Sequence, residues 1–373
     1  MKIEIQEVRT KAQLNKFISF PHLLYKNDSN YVPALNISVK ETLSTKNPFF
    51  NHSQIALFIA LDNNRVVGRI AAIYNKTHLD TYKDNTGFFG FFDSINDVNV
   101  SNFLFDTCKT WLKEKGLNKV IGPTSLTTNE ICGFLNFGFD LPPSVQMPYN
   151  FEYYNALALS YGFEKEIDLY SYSINGDILS EKYSNILEQR SEKLEEKDIR
   201  IRSLSKKTFH KDISKLRVVY NKSNKYNWGF MPLNEEEFNY MAKDLKMITP
   251  LDMALIAEIG NDIIGYMISV PNINQAIKHC KNGKLFPLGL FKLLWYKRRI
   301  KTSRIMILGV LEEYKGIGVD LLLYMKMKEV LNKYGIYNYE ACYVLENNGN
   351  MNSIIKKVSK ELLKTYRLYS MEI

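Results

Sequence analysis

Along this chain the apolar positions switch repeatedly between two spacings, the alternation of half-buried strands and the three-to-four residue repeat of helices. Ile3–Val8 alternates as a strand, and a helical and loop stretch after it ends in the turn Tyr31-Val-Pro33. Ile55–Leu61 and Val66–Tyr74 flank Asp62-Asn-Asn-Arg65, polar turn chemistry that predicts a hairpin. The aromatic strand Gly87-Phe-Phe-Gly-Phe-Phe92, a helix over about 100–115 and the strand Lys119-Val-Ile121 follow. Tyr154–Phe163 and a strand reaching Tyr172 complete this part.

Charged residues then dominate Glu181–Asp198, which reads as a helical linker. After it the order of elements returns. Ile199–Leu204 is a strand, His210–Asn221 and Glu235–Leu245 are helices, and Met253–Ile259 pairs across Gly260-Asn-Asp262 with Ile263–Val270. A strand, a glycine turn and a helix come next, then Tyr337–Leu345 and a last helix and strand. Two stretches with one element order predict a duplicated α/β unit: a domain over 1–175, a linker over 176–197 and a second domain over 198–373. One decorated α/β domain is the alternative.

The glycine turn carries the sharpest chemistry. Ile305-Met-Ile-Leu-Gly-Val310 runs into Glu312-Glu-Tyr-Lys-Gly-Ile-Gly318, and the next helix repeats apolar residues at Leu323, Met327, Val330 and Leu331 before Gly335. Gly316 and Gly318 reach backbone angles that other residues resist, so consecutive N–H groups can turn toward one anion at a helix start. The turn lacks the third glycine and downstream acid of a dinucleotide site, and it has no Gly-Lys-Ser/Thr ending. On its own it is a phosphate cradle or a tight turn.

Composition changes this picture in two places. The hydrophobic fraction of 45% and charged fraction of 24% describe a folded chain. Its four cysteines have no metal or disulfide spacing, as suits a reducing compartment, and no metal site is expected. The first eight residues alternate without a signal-peptide core, so the expected location is cytoplasmic. The net charge of +9 is local: between Gln275 and Arg304 stand Lys278, Lys281, Lys284, Lys292, Lys297, Arg298, Arg299, Lys301 and Arg304, with no acid among them. These nine charges equal the whole excess.

Inside that stretch, Leu285-Phe-Pro-Leu-Gly-Leu-Phe-Lys-Leu-Leu-Trp-Tyr296 sets large apolar groups beside the cations. It is too short to span a bilayer and suits an interfacial helix on an anionic membrane, over 285–304. A core-covering element with a basic rim is the competing reading. Nucleic acid is not expected, because aromatics are not interleaved through the charge and no recognition motif accompanies it.

The glycine loop resembles the Gln/Arg-x-x-Gly-x-Gly/Ala loop of the GNAT superfamily of acyl-CoA N-acyltransferases, with Glu313 where Gln or Arg is usual. That departure puts a carboxylate beside a pyrophosphate position, and Lys315 can offset it. Asn155, Ala156, Tyr161, Gly162 and Phe163 resemble the ending of a GNAT domain in the first half, where Asp93-Ser-Ile-Asn-Asp97 replaces the loop. The resemblance extends over most of the chain. Asn47-Pro-Phe-Phe50, Val67-Gly-Arg-Ile-Ala-Ala72, Gly122-Pro123, Gly138-Phe-Asp-Leu-Pro-Pro143, Tyr149-Asn150, Tyr153-Tyr154 and Lys364-Thr-Tyr-Arg367 are similar to a tandem-GNAT group of bacterial proteins that includes ceramide synthases. The fold it implies is α/β, with two GNAT-like domains, each a mixed, mostly antiparallel sheet flanked by helices, the first lacking the pyrophosphate loop.

What this implies for function is direct attack of an amine on the thioester of acyl-CoA, with no acyl-enzyme and no metal. By the resemblance, the N–H of Val310 faces the thioester carbonyl, and Tyr314, Lys315, Gly316, Ile317, Gly318 and Val319 hold the pyrophosphate, with Asn348 beyond the next strand. Glu340 and Glu346 are candidate bases, since a carboxylate in a cleft can have its pKa raised. Either is equally a solvated strand-end charge. Tyr343 and Tyr366 are candidates to reprotonate the thiolate, and Cys342, His52 and His78 read as packing residues. The implied reaction is fatty acylation of a sphingoid-base-like amine by a cytoplasmic enzyme peripheral on the inner membrane. A soluble acetyltransferase of a small amine or protein, and a non-catalytic acyl-CoA or lipid binder, are the alternatives.

Overall fold

Asn63 and Asn64 both sit at positive φ, 48° and 66°, a conformation asparagine tolerates better than most residues. They close the expected hairpin between strands β2 (Gln54–Asp62) and β3 (Arg65–Tyr74). Gly260, at φ +57°, turns β9 (Ala254–Ile259) into β10 (Asp262–Pro271) in the same manner. In this computed structural model the described residues are 2–177, 194 and 197–373. Most of the expected charged linker over 176–197 lies outside them.

The chain divides into two compact units. The first comprises 1–169, 274–298 and 364–373; the second comprises 170–273 and 299–363. Strands β1 (Ile3–Glu7), β2, β3, β4 (Thr86–Ser94), β5 (Lys119–Thr124) and the end of β13 (Ser359–Glu372) lie side by side in the first, with β6 (Phe134–Phe137) also on β13. Pairing there is antiparallel except between β4 and β5, which run parallel. In the second unit the order is β7 (Glu164–Asn175, its latter half), β12 (Asn338–Leu345), β11 (Thr302–Val310), β10, β9 and β8 (Ile199–Ser203). The parallel pair here is β11 with β12. Within each unit the strand pairing is thus mixed and mostly antiparallel, as expected.

The apolar periods become cores. Helix Val98–Glu114 buries Val100, Leu104, Phe105, Cys108 and Leu112 against the first sheet, and β4 buries Phe88, Phe89 and Phe92. Phe92 stacks on Phe105 with ring centroids 4.7 Å apart, and each buried phenylalanine contributes about 1.5–3 kcal/mol. Helix Val319–Lys333 buries Val319, Leu323, Met327, Val330 and Leu331, the stripe its spacing predicts. Helix Phe209–Asn224 covers β10 and β11 with Ile213, Leu216, Val219 and Tyr220. Among the features not anticipated are the short helices Asn36–Thr42, Lys76–Tyr82 and Asn274–Ile277 and strand β6, because none is long enough to establish a period.

Candidate active site

β11 and β12 pair in parallel from Thr302↔Asn338 to Ile305↔Ala341. There the ladder ends, although β11 continues to Val310 and β12 to Leu345. The cause lies on the other edge of β11. Opposite β10 the register jumps from Ser269↔Ile305 to Ile268↔Ile307, so Met306 is an extra residue, and such a bulge bends its strand. The two parallel strands therefore part.

Backbone donors follow from the same register. The N–H of Leu311 donates to the Ile264 carbonyl at 2.9 Å. Since N–H groups alternate along a strand, that of Gly309 also turns toward β10, while those of Leu308 and Val310 turn to the side from which β12 has departed. Gly309 is there because nothing larger fits: a Cβ would lie 2.5 Å from Ser223 Oγ and 2.5 Å from the Tyr266 ring. Tyr266 is buried and accepts a 2.7 Å hydrogen bond from Asn224 Nδ2. Burial pushes its hydroxyl up to about 12.

After Val310 comes a single turn, Glu312–Tyr314, then Gly316 at φ +76° and Gly318 at φ +107°. Helix Val319–Lys333 starts at Gly318 with no side-chain cap, and its first internal bond is Leu322 N–H to the Gly318 carbonyl at 3.0 Å. The amides of its first turn precede any intrahelical acceptor. The acids of the turn are balanced: Lys315 Nζ lies 2.6 Å from Glu312. Lys225 is held above its ordinary pKa by its bond to Tyr226 and by the charges of Glu312 and Glu313. The carboxylate at 313 thus stands near a second cation.

On β12, Glu340 Oε1 accepts a 2.6 Å hydrogen bond from Ser171 Oγ, and Cys342 Sγ lies 3.8 Å from the same oxygen. Arg304 is not on the basic surface where the linear pattern put it. It is buried on β11, donates from Nε to the Cys342 carbonyl at 3.2 Å and lies 5.4 Å from the Tyr343 ring centroid. Asn348 caps helix Gly349–Val358, its side chain accepting from Met351 N–H at 3.1 Å. Glu346 follows β12, and its carbonyl accepts from Asn352, whose side chain in turn accepts from Tyr172 OH at 3.0 Å. Tyr366 belongs to the first unit, where it is fully buried on β13. Sequence reasoning missed Ser171, Gly309 and Arg304; only Gly309, a glycine inside an apolar strand, left a signal.

Where the first unit has its corresponding strand and helix, the chain differs. Asp97 caps helix Val98–Glu114 itself, its Oδ1 accepting from Asn99 N–H at 2.8 Å and Val100 N–H at 3.3 Å.

Two units that each set a parallel strand pair in a mixed, mostly antiparallel sheet have the plan of a tandem-GNAT fold, and that fold together with the chain's relatives makes it an N-acyltransferase. The chain is 36% identical over 369 residues to Protein YghO of Escherichia coli K12, covering 97% of this chain and 94% of that one. It is 32% identical over 377 residues to Bacterial ceramide synthase of Caulobacter vibrioides, covering 98% and 97%. It belongs to their family. No family profile matches it. Among solved structures, a tandem GNAT protein from the clavulanic acid biosynthesis pathway aligns over 100% of this chain and 98% of its own, with a TM-score of 0.58 and 10% identity. A GCN5-related N-acetyltransferase from Sphaerobacter thermophilus aligns over 99% and 95%, with a TM-score of 0.54 and 10% identity. Among the described residues no helix is long and apolar enough to cross a membrane.

Proposed function

We propose that this enzyme transfers a fatty acyl group from acyl-CoA to the amine of a sphingoid-base-like lipid, working at an anionic membrane surface on its cytoplasmic side. The observation that carries the lipid reading is the exposure of the segment over 285–299, in which the helix is Gly289–Lys297 rather than the whole of 285–304, since 302–304 belong to β11. Phe286 is 68% exposed, Leu288 67%, Phe291 72%, Leu294 56% and Trp295 63%, among exposed lysines and arginines. Apolar groups of this size on a basic surface fit the headgroup region of an anionic bilayer, where each cation adds on the order of 1 kcal/mol. The relative named as a bacterial ceramide synthase supports the same chemistry.

In the reaction the amine nitrogen bonds to the thioester carbon, the carbon–sulfur bond breaks and CoA leaves as its thiolate. Residues 314–319 hold the pyrophosphate at the uncapped helix. The N–H of Val310 receives the carbonyl oxygen as charge develops on it. Glu340, oriented by Ser171, takes the amine proton, and Tyr343 returns one to the thiolate. Glu346 is the second candidate carboxylate, one residue past the end of β12 where Glu340 lies within the strand.

The test is turnover of palmitoyl-CoA and acetyl-CoA with sphinganine and with a small water-soluble amine, by mass spectrometry of the amide. Long-chain amide of the lipid base is the expected product. Equal use of acetyl-CoA and the soluble amine would overturn the lipid reading. Glu340→Gln should lower kcat by about 10²–10⁴-fold, the usual worth of a general base; if Glu346→Gln does this instead, the base is reassigned.

A further inference from the structure

Residues 274–298 sit in sequence between two strands of the second unit, yet they pack with the first. The attachment is specific. Gly283, at φ +63°, lies so close that a Cβ there would meet the Ala34 carbonyl oxygen at 2.1 Å and His22 Nε2 at 3.1 Å. Asn36 Nδ2 donates to the Asn282 carbonyl at 3.1 Å, and Asn36 Oδ1 lies 2.8 Å from His22 Nε2. At the other end, Asn274 Nδ2 donates to the carbonyls of Pro143 and Ser144 at 3.0 and 2.9 Å. The segment also closes on itself, with His279 stacked 3.6 Å from Tyr296 and Cys280 Sγ 3.4 Å from the Gly289 carbonyl.

This junction brings in residues that hydropathy along 285–304 does not contain. Leu23 follows His22 and Ile37 follows Asn36, and they are 63% and 56% exposed. Exposed Lys26 and Lys40 stand beside them, with Glu41 as the neighbouring acid, while 275–298 contributes six cations and no acid. We propose that the membrane-docking face is a composite surface of the first unit, in which Leu23 and Ile37 extend the patch of Phe286, Leu288, Phe291 and Trp295, and that its occupant is an anionic bilayer. The charge argues for this partner over a second copy of the chain, since two such basic faces repel each other. The first unit then docks and the second holds the glycine loop. The inference rests on the membrane reading of 285–304 and adds to it the two outlying residues and the unit that bears them.

Flotation of the full chain with vesicles of phosphatidylcholine and phosphatidylglycerol tests it. The Phe291→Asp/Trp295→Asp and Leu23→Asp/Ile37→Asp variants should each bind about tenfold less or worse, given the apolar burial each loses. Acyl-CoA affinity by calorimetry and melting temperature should stay as in the parent. Leu23→Ser/Ile37→Ser repeats the test with a milder change, so a fall in melting temperature of the aspartate pair does not decide it. If only the 291/295 pair loses vesicles, the composite face is overturned and the membrane reading stands. If neither pair does, both fall. A dimer in vesicle-free solution that the 23/37 variants dissolve would overturn the bilayer as occupant.

Discussion

The two units treat the same structural position in opposite ways. After β4 the first unit runs through Asn96 and Asp97 into a helix whose leading amides are taken by the Asp97 carboxylate, and its strand is tied down by a buried ionic knot. There Asp93 is bound by Arg69 Nε at 2.7 Å and is reached by the hydroxyls of Tyr25 and Tyr154 at 3.0 and 3.1 Å. Burial drives both hydroxyls well above their ordinary pKa, so they remain donors. Ser94 N–H, in turn, donates to Tyr154 OH at 3.1 Å. After β11 the second unit has glycines, an uncapped helix and backbone donors turned away from β10. A helix start carries roughly half a positive charge, and a protein either supplies its own anion there or leaves that charge for a ligand. The first unit caps its helix with Asp97, whereas the second places Asp320 in the first turn of its helix without a side-chain cap.

The largest effect that would break this contrast is in the first unit. Asp93→Ala should cost about 3–5 kcal/mol in denaturant unfolding, because it leaves the Arg69 charge buried without its partner; a cost below about 1 kcal/mol, the level of an exposed ion pair, would show that the knot is not structural. Next is the second unit's turn. Gly318→Asp places a carboxylate at the uncapped helix and should weaken acyl-CoA binding about 100-fold, near 2.8 kcal/mol by calorimetry. Asp97→Gly in the first unit should leave binding at one acyl-CoA per chain; a second equivalent would mean that the cap alone keeps ligand out. Smaller still, Asp97→Ala should lower stability by about 1 kcal/mol, the usual worth of such a cap, seen as a shift in denaturant midpoint.

The smallest effect is a pH dependence confined to the first unit. Burial lowers the pKa of His22 and of His78 below the ordinary 6.5. Above 6.5 both are neutral folded and unfolded, and they contribute nothing. Below it the unfolded chain takes up protons first, so stability falls as pH drops through the window beneath 6.5. His22→Gln should flatten that slope in melting curves at pH 5 to 7; an unchanged slope would remove His22 as a source.

Much of this architecture is legible in the amino-acid pattern. The hairpins at 62–65 and 260–262, the aromatic strand β4 and the stripe Leu323, Met327, Val330 and Leu331 declare themselves by period and turn chemistry, and the glycine turn lies at the helix start its spacing implies. Arg304 reads with its cationic neighbours, yet strand alternation buries it under Tyr343. Ser171 meets Glu340 across 169 residues, a pairing that no local pattern encodes.

The sequence by itself determined most of the longer strands and helices, where backbone angles need glycine or asparagine, and that positive charge gathers near residue 290, because each depends on neighbours within a few turns of chain. Only the tertiary structure decided that a bulge at Met306 parts β11 from β12, that 274–298 and 364–373 join the first unit, and that Leu23 and Ile37 are left exposed. Those outcomes depend on register and on close approaches such as Gly283 to Ala34, contacts whose energy exists only once distant segments have met.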